Sequence, residues 1–153
     1  MNYLAHLLLS PSDEHSRLGN IMADFMRDVD TESLPTRVWE GIQLHRSVDG
    51  FTDAHPTVRD LRTNFSKERR RFSGVVLDVV FDHFLIQHWA DYSDQSFDAF
   101  VDEAYATLWR QREWMPERME MVVGWMIKRD WFRSYAELSG VGRALDGLAG
   151  RLK

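Results

Sequence analysis

Between Arg71 and Arg110 the chain has no lysine or arginine, yet VVLDVVFDHFLIQHW sets Asp78, Asp82 and His83 among apolar residues covering every side of a helix. The pattern predicts a central buried helix over 72–90, with its three ionisable groups carried into the interior. Burying ionised carboxylates without a neutralising partner costs on the order of several kcal/mol or more. With no cation nearby in the sequence, a metal ion is the natural neutraliser.

The rest of the chain has the makings of one domain. Its 153 residues, 44% hydrophobic with 12% aromatic, suffice for a full core, so a single domain over 1–153 is expected. Alternating β-branched stretches are missing and apolar residues recur at helical spacing, which predicts an all-α fold, a bundle of seven or eight helices. Prolines punctuate it: Pro11 ends a first helix over 2–9, Pro35 and Pro56 open the third and fourth, and Pro116 opens a late one. Ser12 or Asp13 is positioned to cap a second helix reaching Arg27, and Asp130 a short turn around Trp131. Val141, Leu145, Leu148 and Leu152 make a final amphipathic helix. Gly19 and Ala23, the smallest residues of the second helix, would admit a close neighbour.

With no cysteine, thiolate zinc sites and cysteine nucleophiles are excluded, leaving His, Asp and Glu as strong metal ligands. The start MNYLAHLLLS has neither a basic leader nor a long apolar run, and no segment is apolar enough to span a bilayer, so a cytoplasmic location is expected. A net charge of −5 argues against general nucleic-acid binding. One segment runs against that charge: Arg59, Arg62, Lys67, Arg69, Arg70 and Arg71 face only Asp60 and Glu68, which suits a docking surface for an acidic partner.

Two helical pairs stand out as donors. His45 and Asp49, like Asp78 and Asp82, lie four residues apart on one helix face, where both side chains can reach one ion. Asp24 and His6 complete the candidate set, while His15, His55 and His88 read as loop or surface residues. Carboxylates and imidazoles without thiolates suit a hydrolytic divalent ion, and Arg46 could hold a phosphate oxygen.

Four segments in order, MNYLAHLLL, LGNIMADF, GIQLHRSVDGFTD and LDVVFDHFLIQHW, resemble the acyl carrier protein phosphodiesterase family, helical relatives of the HD-type phosphohydrolases. The resemblance covers roughly the first ninety residues, although the adjacent pair here is Asp82-His83 where the HD class has His-Asp. It implies an HD-like all-α fold and a metal-dependent hydrolase, with Mn2+ as the usual ion and Mg2+ or Fe2+ as the other candidates. The implied reaction cleaves the phosphodiester between 4'-phosphopantetheine and a serine of holo acyl carrier protein.

Carried onto this sequence, the family motifs match His6, Asp24, His45, Arg46, Asp49, Asp53, Asp78, Asp82 and His83. Asp24, His45, Asp82 and His83 are expected to hold the ion, Arg46 to stabilise developing charge, Asp49 and Asp78 to orient ligands or add a second metal, and His6 to protonate the leaving oxygen. The acidic carrier protein would dock on the basic segment 59–71. Two other readings stay open: an HD-like phosphohydrolase of a nucleotide or other small phosphoester, and a non-catalytic or redox helical metalloprotein.

Overall fold

The computed structural model describes residues 2–27 and 29–151. Among them are nine α-helices and no strand: α1 Tyr3–Leu9, α2 Glu14–Met22, α3 Thr36–Ala54, α4 Pro56–Thr63, α5 Ser73–Gln87, α6 Phe97–Arg110, α7 Glu117–Lys128, α8 Trp131–Ser134 and α9 Leu138–Arg151. The all-α expectation holds. The count exceeds seven or eight because the single turn after Asp130 is itself a helix, α8. Asp130 starts it from a left-handed backbone, φ 47°.

Local chemistry sets the boundaries. The Asp13 carboxylate accepts the Ser16 N–H at 2.9 Å and caps α2. Pro56 occupies the first turn of α4, where its missing N–H removes no helical bond. The second helix stops short of Arg27: past Met22 it tightens into a 3-10 turn, Ala23–Phe25, which swings Asp24 out to the surface.

Two glycines fix the packing that matters most for the site. Gly19 of α2 lies directly against the Val38 backbone of α3, and Gly41 of α3 against the backbone of Ser16 and Asn20. A Cβ at either position would overlap main-chain atoms, so α2 and α3 touch backbone to backbone. Leu4 and Leu7 of α1, Ile21 and Met22 of α2 and Ile42 of α3 are fully buried around this contact, in one core with α6 and α7.

The helix predicted to be wholly buried is not. α5 buries Leu77, Val79, Asp82 and His83, but Val75 and Phe84 are 39% and 55% exposed. Its buried side meets α1 and α9, where Val79 and Tyr135 pack with Val141. The Leu148 side chain and Leu152, part of the expected stripe of the last helix, lie outside the described residues. No described helix is long and apolar enough to cross a membrane.

Candidate metal centre

α1 and α3 bring three donors to one point. His6 of α1 and His45 of α3 lie face to face, ring centroids 3.9 Å apart and planes within 9°. His6 Nε2 is 3.1 Å from Asp49 Oδ1, and His45 Nε2 is 3.1 Å from Asp49 Oδ2. One ligand atom from each of the three lies within 4.8 Å of the others, the spacing a single ion needs. Asp24 closes the fourth side, its Oδ1 3.4 Å from His45 Nε2.

The backbone carbonyl of Asn20 lies 2.6 Å from His45 Nδ1 and can only accept, so that nitrogen carries hydrogen. In the neutral ring Nε2 is therefore a lone pair aimed at the carboxylates of Asp24 and Asp49. Such an arrangement calls for a cation between them, either a proton on the ring or a metal ion. Burial opposes protonation of His45, but the two carboxylates outweigh it and push its pKa up to about 9. Asp49 shows the converse: burial works against its charge, yet hydrogen bonds from His45 and His6 hold it well below the usual carboxylate range. His6 is fully buried and its Nδ1 has no hydrogen-bond partner. Two buried imidazoles beside part-exposed carboxylates, with a backbone carbonyl orienting one ring, fit a hard or borderline divalent cation.

Asp82 and His83 have other partners. Both Asp82 oxygens receive backbone N–H groups at the start of α1, from Leu4 and Ala5, each at 3.3 Å. Asp82 is completely buried, and burial pushes its pKa up to about 8 despite these two bonds. Here a helix terminus supplies the positive pole for which the sequence suggested an ion. His83 stands 2.7 Å from the Tyr135 carbonyl through Nδ1. Asp78 is half-buried, its carboxyl raised by burial, and it shares with Asp24 the wall of a cleft.

Arg46 follows His45 in sequence but is exposed, its guanidinium carbon 5.7 Å from the centre of the Trp39 ring. Asp53 pairs with Arg62 at 2.6 Å. Along the basic segment, Arg59, Lys67, Arg69, Arg70 and Arg71 are all exposed, whereas Arg62 is half-buried by that pairing.

Two contributors escaped the sequence reading. Asn20 is fully buried; its side-chain amide donates to the His6 carbonyl at 3.0 Å and to Ser10 Oγ at 2.7 Å, while its own carbonyl holds His45. It thus ties together the helices that carry both imidazoles. Tyr3 lines the same cleft as Asp24, and burial followed by that carboxylate raises its phenol pKa strongly. Tyr3 stands one helical turn before His6, a spacing that could have suggested a shared face.

The family model described as acyl carrier protein phosphodiesterase matches residues 1–153. The chain belongs to this family. Among curated relatives, the acyl carrier protein phosphodiesterases of Serratia proteamaculans, Pectobacterium atrosepticum and Escherichia coli are 40%, 38% and 36% identical to it. In each case the alignment covers 99% of this chain and 79% of the relative. No solved structure matches the chain.

Proposed function

We propose that this member of the family hydrolyses the phosphodiester linking 4'-phosphopantetheine to a serine of holo acyl carrier protein, releasing the apo protein and 4'-phosphopantetheine. The observation that carries the reading is the convergence of His6, His45 and Asp49 beside Asp24, in a chain that matches the family along its whole length.

His45 Nε2, the Asp49 carboxylate and His6 would hold a divalent ion, with Asp24 as the fourth donor; Mn2+ is the first candidate. When bound, such an ion lowers the pKa of water and polarises a phosphoryl oxygen. The chain's own residues then do the positioning. Asn20 keeps the His45 ring in the tautomer that leaves Nε2 for ligation, and Asp49 orients both imidazoles through separate oxygens. Tyr3 lines the cleft with Asp24.

The sequence assigned proton donation to His6, but its Nε2 is engaged with Asp49. Asp78 is better suited, because burial favours its protonated form and it faces the cleft that Asp24 borders. Asp82, holding the first turn of α1 from α5, fixes the position of His6 and acts through it. Arg46, exposed over the Trp39 ring and next in sequence to His45, would stabilise developing charge on the phosphate.

Release of 4'-phosphopantetheine from holo acyl carrier protein tests the reaction. Product should form in proportion to enzyme and time. Hydrolysis confined to nucleotides or other small phosphoesters, with the carrier protein untouched, would replace this reading by the small-molecule one.

A further inference from the structure

Behind Asp24 lies a cleft of about 490 Å³. That volume falls within the range of roughly 300–1,000 Å³ typical of small-molecule sites. Its walls differ in charge. Asp24 and Asp78 stand on the side of the metal centre, whereas Arg118 of α7, Arg129 at the end of α7 and Arg143 of α9 also line it. Between them lie Val75, Val79, Val122 and Trp131.

Five arginines elsewhere pair with carboxylates, Arg17 with Glu103, Arg37 with Glu40, Arg62 with Asp53, Arg110 with Glu14 and Arg133 with Asp98, while the exposed Arg46 and most of the basic segment 59–71 do not. Among the described residues, the guanidinium groups of Arg118, Arg129 and Arg143 have no ion-pair or hydrogen-bond partner. Three unmatched guanidinium groups from two helices thus converge on a cavity that opens beside the metal centre. The combination suits a slender ligand that is anionic at a phosphate, rich in carbonyl acceptors and apolar between them.

Resting on the function proposed above, we propose that this cleft is the binding site of the phosphopantetheine arm. The three arginines donate to its phosphate and amide oxygens, and Val75, Val79, Val122 and Trp131 cover its apolar stretch. An acidic protein surface fits less well, because the cleft is concave and its other wall carries Asp24 and Asp78, which would repel it.

Calorimetric titration of the purified protein with 4'-phosphopantetheine, pantetheine and inorganic phosphate tests the assignment, with apo acyl carrier protein as a fourth ligand. Wild-type protein should bind 4'-phosphopantetheine about tenfold or more tightly than either fragment. The triple variant Arg118→Ala, Arg129→Ala, Arg143→Ala should lose that advantage while binding apo carrier protein as before. Its KM for holo carrier protein should rise about tenfold with a smaller change in kcat. All three side chains are exposed, so truncation leaves the core intact, and the single variant Arg129→Gln should show a smaller loss in the same direction.

Equal affinity of wild type and triple variant for 4'-phosphopantetheine overturns the proposal, as does an equal loss of affinity for apo carrier protein, which would make the arginines a protein-docking surface. Arginine-dependent binding of 4'-phosphopantetheine without its release from holo carrier protein would retain the cleft and remove the proposed reaction.

Discussion

His6 and His45 present stacked rings, 3.9 Å apart, to a single carboxylate, each Nε2 lying 3.1 Å from a different oxygen of Asp49. Two imidazolium ions in that position would repel, so Asp49 serves both rings while a single cation is shared among the three groups. Without metal that cation is the His45 proton. A metal ion must displace it, because a ligating imidazole is neutral. Metal affinity should therefore rise with pH across the neutral range and level off near pH 9, with release of a proton on binding. Titration of Mn2+ in buffers of different ionisation enthalpy reads that proton directly; a pH-independent affinity would show that His45 is not displaced.

Stability of the metal-free protein carries the signature of Asp82. Its folded pKa, about 8, lies above the unfolded 3.8, so the protonated form is favoured by folding. The contribution is fully present below about pH 4 and is lost as pH rises through 8, at up to about 1.4 kcal/mol per unit. Asp82→Asn should flatten the pH dependence of the urea midpoint between pH 4 and 6. The later window overlaps that of His45, which loses its own contribution between 6.5 and about 9.

The close contact between α2 and α3 has a sharp steric test. Gly41→Ala places a methyl group against the backbone of Ser16 and Asn20 and forces the helices apart. A stability loss of about 1–3 kcal/mol is expected, with weaker Mn2+ binding, since His45 and Asn20 part together. Alanine at Gly142, an exposed position of α9 whose Cβ site is open, should leave Mn2+ binding unchanged and raise stability slightly through helix propensity.

Docking on the basic segment predicts a kinetic effect. Arg69→Ala, Arg70→Ala and Arg71→Ala combined should raise the KM for holo carrier protein at low salt and flatten its dependence on ionic strength. A KM equal to that of the wild type in low salt would place the carrier protein elsewhere.

What the sequence could show follows from the range of each interaction. Proline positions and helical periodicity are local, so the helices emerged close to their observed limits, the end of α2, which tightens past Met22, being the exception. The His45–Asp49 pair was legible because its spacing along α3 makes the two side chains neighbours. Partners from distant segments were not. A run lacking Lys and Arg made Asp82 look in need of an ion, but its hydrogen-bond partners are a pair of N–H groups on α1 and burial favours its protonated form, which no composition reveals. The exposure of Phe84 on an entirely apolar helix was hidden for the same reason, since burial depends on which neighbours arrive.

Mass analysis of holo acyl carrier protein after incubation with metal-stripped wild-type protein, with and without added Mn2+, and with Asp49→Asn and Asp24→Asn variants, bears most directly on the central claim. The 4'-phosphopantetheine mass should be lost only with wild type plus Mn2+, while both variants keep their helical spectrum and leave the carrier protein intact. Full turnover by folded Asp49→Asn, or by wild type under strict chelation, would contradict a metal centre built on His6, His45 and Asp49.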